Sequence, residues 1–117
     1  MGLTAEKDHR VMNHHADVIA RIKSVAHDVL PAGARLILYG SRARGDARED
    51  SDWDLLVLLD KPRLEKADYD NITYPFTYLG WNIGEAITPV MYTTSEWQAN
   101  DFTPFYKNVQ REGIAMA

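Results

Sequence analysis

Cysteine is absent from the 117-residue chain. That excludes disulfide stapling, thiolate metal sites and a cysteine nucleophile, and it fits a reducing, cytoplasmic setting. Positive charge is not in excess either. With 13 basic against 17 acidic residues the formal charge is -4, so bulk charge supplies no pull toward nucleic acid, and direct nucleic-acid binding is not expected. Long apolar runs are missing. The longest extends from Leu55 to Leu59, far short of the roughly 20 residues that a membrane-spanning helix needs, and no basic, apolar leader opens the sequence. Glycine and proline are few, 7 and 5 residues, which excludes collagen-like and low-complexity architectures. What remains is 45% hydrophobic and 26% charged. That is a globular composition on a length that suits a single domain over residues 1–117.

Periodicity places the elements. Val11, His15, Val18, Ile22, Val25 and Val29 recur at spacings of three and four, one face of an amphipathic helix. Thr4 is its expected N-cap with Glu6 in the first turn, and Pro31 with Gly33 its stop. Two strands follow, Arg35 to Tyr39 and Asp52 to Leu59. The second is almost continuously apolar, as expected of a strand covered on both faces. Ser41 to Ser51 between them has room for a turn and one helical turn. Lys61-Pro62 breaks the second strand. Leu64 to Gly84 opens with helix-compatible residues, but Thr73, Tyr74, Pro75 and Phe76 interrupt the pattern and leave the helix end undefined. Ile87 to Tyr92 is a third strand, which Pro89 assigns to an edge. Thr103-Pro104 starts a last helix that Gly113 would cap. The order helix, strand, strand, helix, strand, helix predicts a small α/β (α+β) domain, a mixed sheet of about three to four strands flanked by helices.

Chemistry concentrates in Gly40-Ser41-Arg42-Ala43-Arg44-Gly45 and Ser51-Asp52-Trp53-Asp54-Leu55-Leu56-Val57. Residues i and i+2 of a strand share a face, so Asp52 and Asp54 project side by side. Taken alone, such a pair is more often a solvated edge. Two neighbouring carboxylates also suit a hard divalent cation, and magnesium commonly takes one or two carboxylates plus substrate phosphates. Gly40 and Ser41 end a strand in a way that aims backbone N–H groups at an anion. Ser41 adds a hydroxyl, and Arg42 and Arg44 are either phosphate forks or loop solvation. Together they predict a nucleoside triphosphate with its magnesium.

The string Gly-Ser-Arg-Ala-Arg-Gly followed, six residues on, by Asp-Trp-Asp-Leu-Leu-Val resembles the signature of the DNA polymerase beta-type nucleotidyltransferase superfamily. Its small single-domain members, the minimal nucleotidyltransferases found as antitoxins beside a helical HEPN-type toxin, are the most similar. The first helix, the strand Arg35 to Tyr39 and a last helix running through Val109-Gln110-Arg111-Glu112-Gly113-Ile114 are similar to the family pattern too. The resemblance implies a polymerase-beta-type fold, with Gly40 and Ser41 on the β/γ-phosphates and Asp52 and Asp54 on magnesium. It also implies transfer of a nucleoside monophosphate, AMP from ATP, to a hydroxyl such as a tyrosine of a HEPN-type partner. Family members usually carry a third carboxylate on a later strand. Aligned on Ile87-Thr88-Pro89-Val90-Met91-Tyr92, this chain has Thr88 in that place. Glu85 is the candidate substitute, although regular strand parity turns it to the opposite face and only a bulge would bring it round.

A catalytically weakened nucleotide-binding module, serving as a toxin's partner, is the alternative reading. An aminoglycoside adenylyltransferase would need a further helical domain, and a polymerase a duplex-binding extension. A homodimer is compatible with the sequence. His9, His14, His15 and His27 are spread around the first helix, with only His15 on its apolar stripe, and do not make a metal set. Trp81, Trp97, Tyr74, Phe76 and Tyr78 read as packing or interface residues rather than base-stacking ones. Lys107 and Arg111, four apart, read as a solvated helix face.

Overall fold

The computed structural model describes residues 2–117, with side chains from His14 onward. Helix α1 spans Gly2–Val29, strand β1 Arg35–Tyr39, the short helix α2 Ser41–Arg44 and strand β2 Trp53–Leu59. Helix α3 (Lys66–Asp68) passes through a π-helical turn (Tyr69–Thr73) into α4 (Tyr74–Ile83). Strand β3 (Ile87–Thr93), helices α5 (Thr94–Ala99) and α6 (Pro104–Glu112) and the two-residue strand β4 (Ile114–Ala115) complete the chain. Helix α1 begins at Gly2, ahead of the start expected at Thr4. The side chains of Thr4, Glu6, His9 and Val11 lie outside the described residues.

The four strands form one mixed sheet in the order β3-β2-β1-β4. β1 runs antiparallel to β2, placing Tyr39 opposite Asp54. β3 runs parallel to β2 and places Thr88 opposite Asp54. A parallel pair needs a crossover, and the helical stretch from Lys66 to Ile83 supplies it. Pro89 sits on β3 at the sheet edge, where its missing N–H leaves no ladder bond unmade.

The apolar run of β2 is covered on both faces. Trp53, Leu55, Val57 and Leu59 pack with Val18, Ile22 and Ala26 of α1 and with Ile72 and Phe76. Leu56 and Leu58 pack on the other face with Ile37, Trp97 of α5 and Val109 of α6. Polar residues therefore enter β2 only at its N-terminal end, where Asp54 is partly buried and Asp52 exposed. That end is the edge of the molecule where the site lies.

Two expectations are corrected. Thr73, Tyr74, Pro75 and Phe76 do not stop the crossover helix; the winding widens instead. The Tyr74 N–H reaches the Tyr69 carbonyl, which also accepts the Thr73 hydroxyl at 3.0 Å. That wider turn relieves the clash a proline ring makes with the carbonyl four residues back. Helix α5 was not anticipated, although Thr93 and Glu96 form a capping box: Glu96 N–H donates to Thr93 Oγ1 at 3.1 Å and Thr93 N–H to Glu96 Oε1 at 2.8 Å. The last helix ends at Glu112 with Gly113 as its cap, as expected. Ile114 pairs with Leu38 of β1, making a fourth strand. Among the described residues no helix is long and apolar enough to cross a membrane.

Candidate functional site

β1 leaves the sheet at Tyr39 and turns at Gly40, whose φ of 76° lies in the left-handed region that side chains disfavour. The turn is also crowded. A Cβ on Gly40 would come within 2.4 Å of the Asp54 carboxylate oxygen Oδ2. Glycine is thus what lets the turn approach the acid. Gly40→Ala is expected to cost about 1–3 kcal/mol of stability through backbone strain. It should also push Asp54 out of place, and a lowered denaturant midpoint is the readout.

After Gly40 the chain enters α2 directly. The Gly40 carbonyl accepts the N–H groups of Ala43 and Arg44, both at 3.0 Å. The N–H groups of Ser41 and Arg42, in the first turn of the helix, have no carbonyl behind them to bond. With the Ser41 hydroxyl they form a small set of outward donors beside the acid pair.

The two arginines divide. The Arg42 guanidinium lies 4.6 Å from the Trp53 ring centroid. Its Nη2 donates to Ser51 O at 3.0 Å and to Glu49 O at 3.1 Å, and its Nε to Ser51 O at 3.3 Å. Arg42 therefore fastens the loop that delivers Asp52. Arg44 Nη1 donates to both carboxylate oxygens of Glu112 at 3.3 Å, and Nε donates to Asp46 at 3.3 Å. Those bonds, with Asp46 contributing first, raise its already high affinity for its proton. Glu112 was not singled out from the sequence. Its carboxylate, on the last helix, also receives the Gly40 N–H at 3.1 Å.

Asp52 and Asp54 come together as the strand period requires. Burial first, and then the neighbouring Asp52 charge, push the Asp54 carboxyl above the usual aspartate range, while Arg44 opposes them. Thr88 Oγ1 lies 3.5 Å from Asp52 Oδ2, so the third-acid place is occupied by a hydroxyl facing the pair. Tyr39, opposite Asp54 in the ladder, is pushed up to about 12 by burial first and then by Asp54 and Tyr92; it stays a neutral phenol. Glu85 is not brought to the pair. Its carboxylate meets His14 Nε2 of α1 at 2.5 Å and is only 10% exposed, on the sheet face that strand parity predicts.

His15 packs against Trp53 with ring centroids 4.9 Å apart. Burial, then Arg42 and His14, lower its affinity for a proton. His27 is exposed beside Asp28. Trp97 and Phe76 are buried, whereas Tyr74, Tyr78 and Trp81 form an exposed aromatic stripe on α4. Lys107 and Arg111 are exposed on α6.

The oxygen set of Asp52, Asp54 and Thr88 suits a hard cation such as magnesium, which needs only one or two protein carboxylates when phosphates supply the rest. The repulsion that raises Asp54 is what a cation between the acids would relieve. Among the described residues no three His, Asp or Glu side chains converge into a closed metal cage.

Among curated proteins none matches this chain. Among solved structures, a toxin–antitoxin with AMP-PNP superposes with a TM-score of 0.59 at 19% identity, covering 85% of this chain and 72% of that one. A variant of the MntA–HpeT toxin–antitoxin in which two aspartates are changed to glutamate gives 0.58 at 17% identity, with the same coverage of 85% and 72%. A tyrosine-to-alanine variant of that pair gives 0.51 at 18%, covering 82% and 68%. The shared architecture is the polymerase-beta-type fold expected from the motif. The sequence model of the nucleotidyltransferase domain matches residues 19–110, and the chain belongs to that family of transferases.

Proposed function

We propose that the protein transfers a nucleoside monophosphate, AMP from ATP, to a hydroxyl on a partner protein, a tyrosine of a helical HEPN-type toxin. The observation that carries this reading is the meeting of Asp52 and Asp54 with the Gly40–Ser41 turn, close enough that a Cβ on Gly40 would strike Asp54. Ser41, the outward amides beside it, and Arg44 hold the triphosphate; Asp52 and Asp54 hold magnesium. The acceptor oxygen bonds to the α-phosphorus as the bond to pyrophosphate breaks, and the hydroxyl proton passes to solvent water. Asp52 and Asp54 would be the protein ligands of magnesium, which when bound would supply charge neutralisation to the attacking and leaving oxygens. Arg42 keeps Asp52 in register by tying down the loop before it. Glu85 is held by His14 of α1 and takes no part in the step. Toxin–antitoxin neighbours, one of them with AMP-PNP, support both the nucleotide and the partner.

Thr88 beside Asp52 favours a second reading. With a hydroxyl in place of the third acid, the site binds nucleotide without transferring it, and the chain acts as a stoichiometric antitoxin. Calorimetry with ATP and magnesium, on the wild type and on the Asp52→Asn/Asp54→Asn double variant, separates these from neither. α-Labelled ATP presented with a helical partner then separates them from each other. Label on the partner, lost in the double variant, is the expected result. Acid-dependent binding without label leaves the second reading. No binding of ATP or of any other triphosphate overturns both.

A further inference from the structure

Glu112 ends α6, yet its carboxylate lies in the phosphate turn. One oxygen accepts the Gly40 N–H at 3.1 Å, and both accept Arg44 Nη1 at 3.3 Å. The Glu112 side chain is 13% exposed and that of Arg44 46%, so the carboxylate is largely covered while the guanidinium stays open to solvent. The helix end that carries it is pressed on the sheet: a Cβ on Gly113 would meet Val109 O at 2.5 Å and Ile37 Cγ2 at 2.8 Å. The next residues pair with β1. A backbone N–H and a guanidinium converging on two anionic oxygens are the donors that bind a phosphoryl group. Arg44 is also one of the residues that the proposed function gives to the triphosphate, and Gly40 opens the turn that holds it.

We infer that Glu112 is an internal occupant of a phosphoryl subsite made by Gly40 and Arg44, an autoinhibitory latch that the triphosphate must displace. The inference rests on the nucleotidyltransferase reading of the site. With Glu112 in place, the turn offers a phosphate only the Ser41 and Arg42 amides and the Ser41 hydroxyl. Displacement releases Arg44 toward the substrate and frees the end of α6 with β4. Triphosphate binding and the fastening of the C-terminal segment are then mutually exclusive, and whatever loosens that segment primes the site.

The test uses inorganic tripolyphosphate and magnesium-ATP as probes, titrated calorimetrically into the full chain and into Glu112→Gln. Glutamine keeps an acceptor for the Gly40 N–H but loses the charge. Because charge-assisted bonds are roughly twice as strong as neutral ones, Glu112→Gln should bind both probes about tenfold tighter. Hydrogen exchange supplies a second readout. Added magnesium-ATP should speed exchange of the Met116 N–H, which donates to Leu36 O at 2.7 Å, in the wild type and less so in the variant. Equal or weaker binding by a variant that melts like the wild type overturns the latch and leaves the site reading standing. Absence of binding by both proteins overturns the site reading and the latch with it.

Discussion

Asp54→Asn is expected to lower kcat/KM for nucleotidyl transfer by about 10³-fold or more, roughly 4 kcal/mol of transition-state stabilisation, without weakening the fold. Asp54 is the more buried member of the pair, its neighbour in the ladder is a tyrosine on one side and Thr88 on the other, and nothing beside it replaces a lost ligand. Asparagine fills the same volume against Gly40 but brings no charge to a cation. The apo fold should gain, because burial and Asp52 both disfavour the Asp54 charge. The sign follows from linkage. A carboxyl whose folded pKa lies above its unfolded value holds its proton more tightly in the native state. Its penalty is absent below the ordinary value of 3.8, grows as pH rises through the raised folded value, and is complete at neutrality. Wild-type melting temperature should therefore carry a downward slope with pH in that window that Asp54→Asn lacks. Activity assays and thermal melts at acid and neutral pH check both halves. A variant that transfers normally, or melts well below the wild type at pH 7, contradicts the assignment.

Why the acid pair was legible and Glu112 was not is a matter of range. The relation of Asp52 to Asp54 is set by the two-residue period of one strand, and the exit at Gly40 by a glycine that follows an apolar run. Each is a local signal. The two-faced burial of β2 was equally legible, because no polar residue interrupts Trp53 to Leu59 on either face except Asp54. Strand parity also read Glu85 correctly: without a bulge it faces α1, where His14 takes it. Glu112 meets Gly40 across nearly the whole chain, and its helical period reveals which face it shares but not what it touches. Strand β4 has two exposed residues and exists through its pairing with β1, so no pattern of its own announces it. The end of the crossover helix is obscured for the opposite reason. Proline gave a strong local signal, and a widened turn with a threonine side chain on the freed carbonyl overrode it. Helix α5 has a local signal in the Thr93–Glu96 capping box, but at six residues it is too short to show a helical period of its own.

The residue between the acids sets the second large effect. Trp53 is fully buried, with 0% of its surface exposed, held between His15 of α1 and the Arg42 guanidinium. Trp53→Ala is expected to cost about 3–5 kcal/mol through lost burial and the cavity left behind. That is a large share of the roughly 5–15 kcal/mol that holds a domain together. Trp53→Phe should cost far less than its lost volume suggests. The indole Nε1–H is buried without an acceptor among the described residues, and an unsatisfied buried donor costs about 1–3 kcal/mol. Phenylalanine removes that donor while keeping a ring for His15 and Arg42 to pack on. Urea unfolding with midpoint and slope compared across the three proteins measures this. Should phenylalanine destabilise as much as alanine, the indole N–H has a partner such as a bridging water, and the ring is held by more than packing. The same variants report on function, because Trp53 is the backbone neighbour of both carboxylates. A side chain anchored in the core on one face of β2 is what holds Asp52 and Asp54 steady on the other. Trp53→Ala should consequently lose magnesium-dependent nucleotide binding at temperatures where it remains folded, while Trp53→Phe retains it.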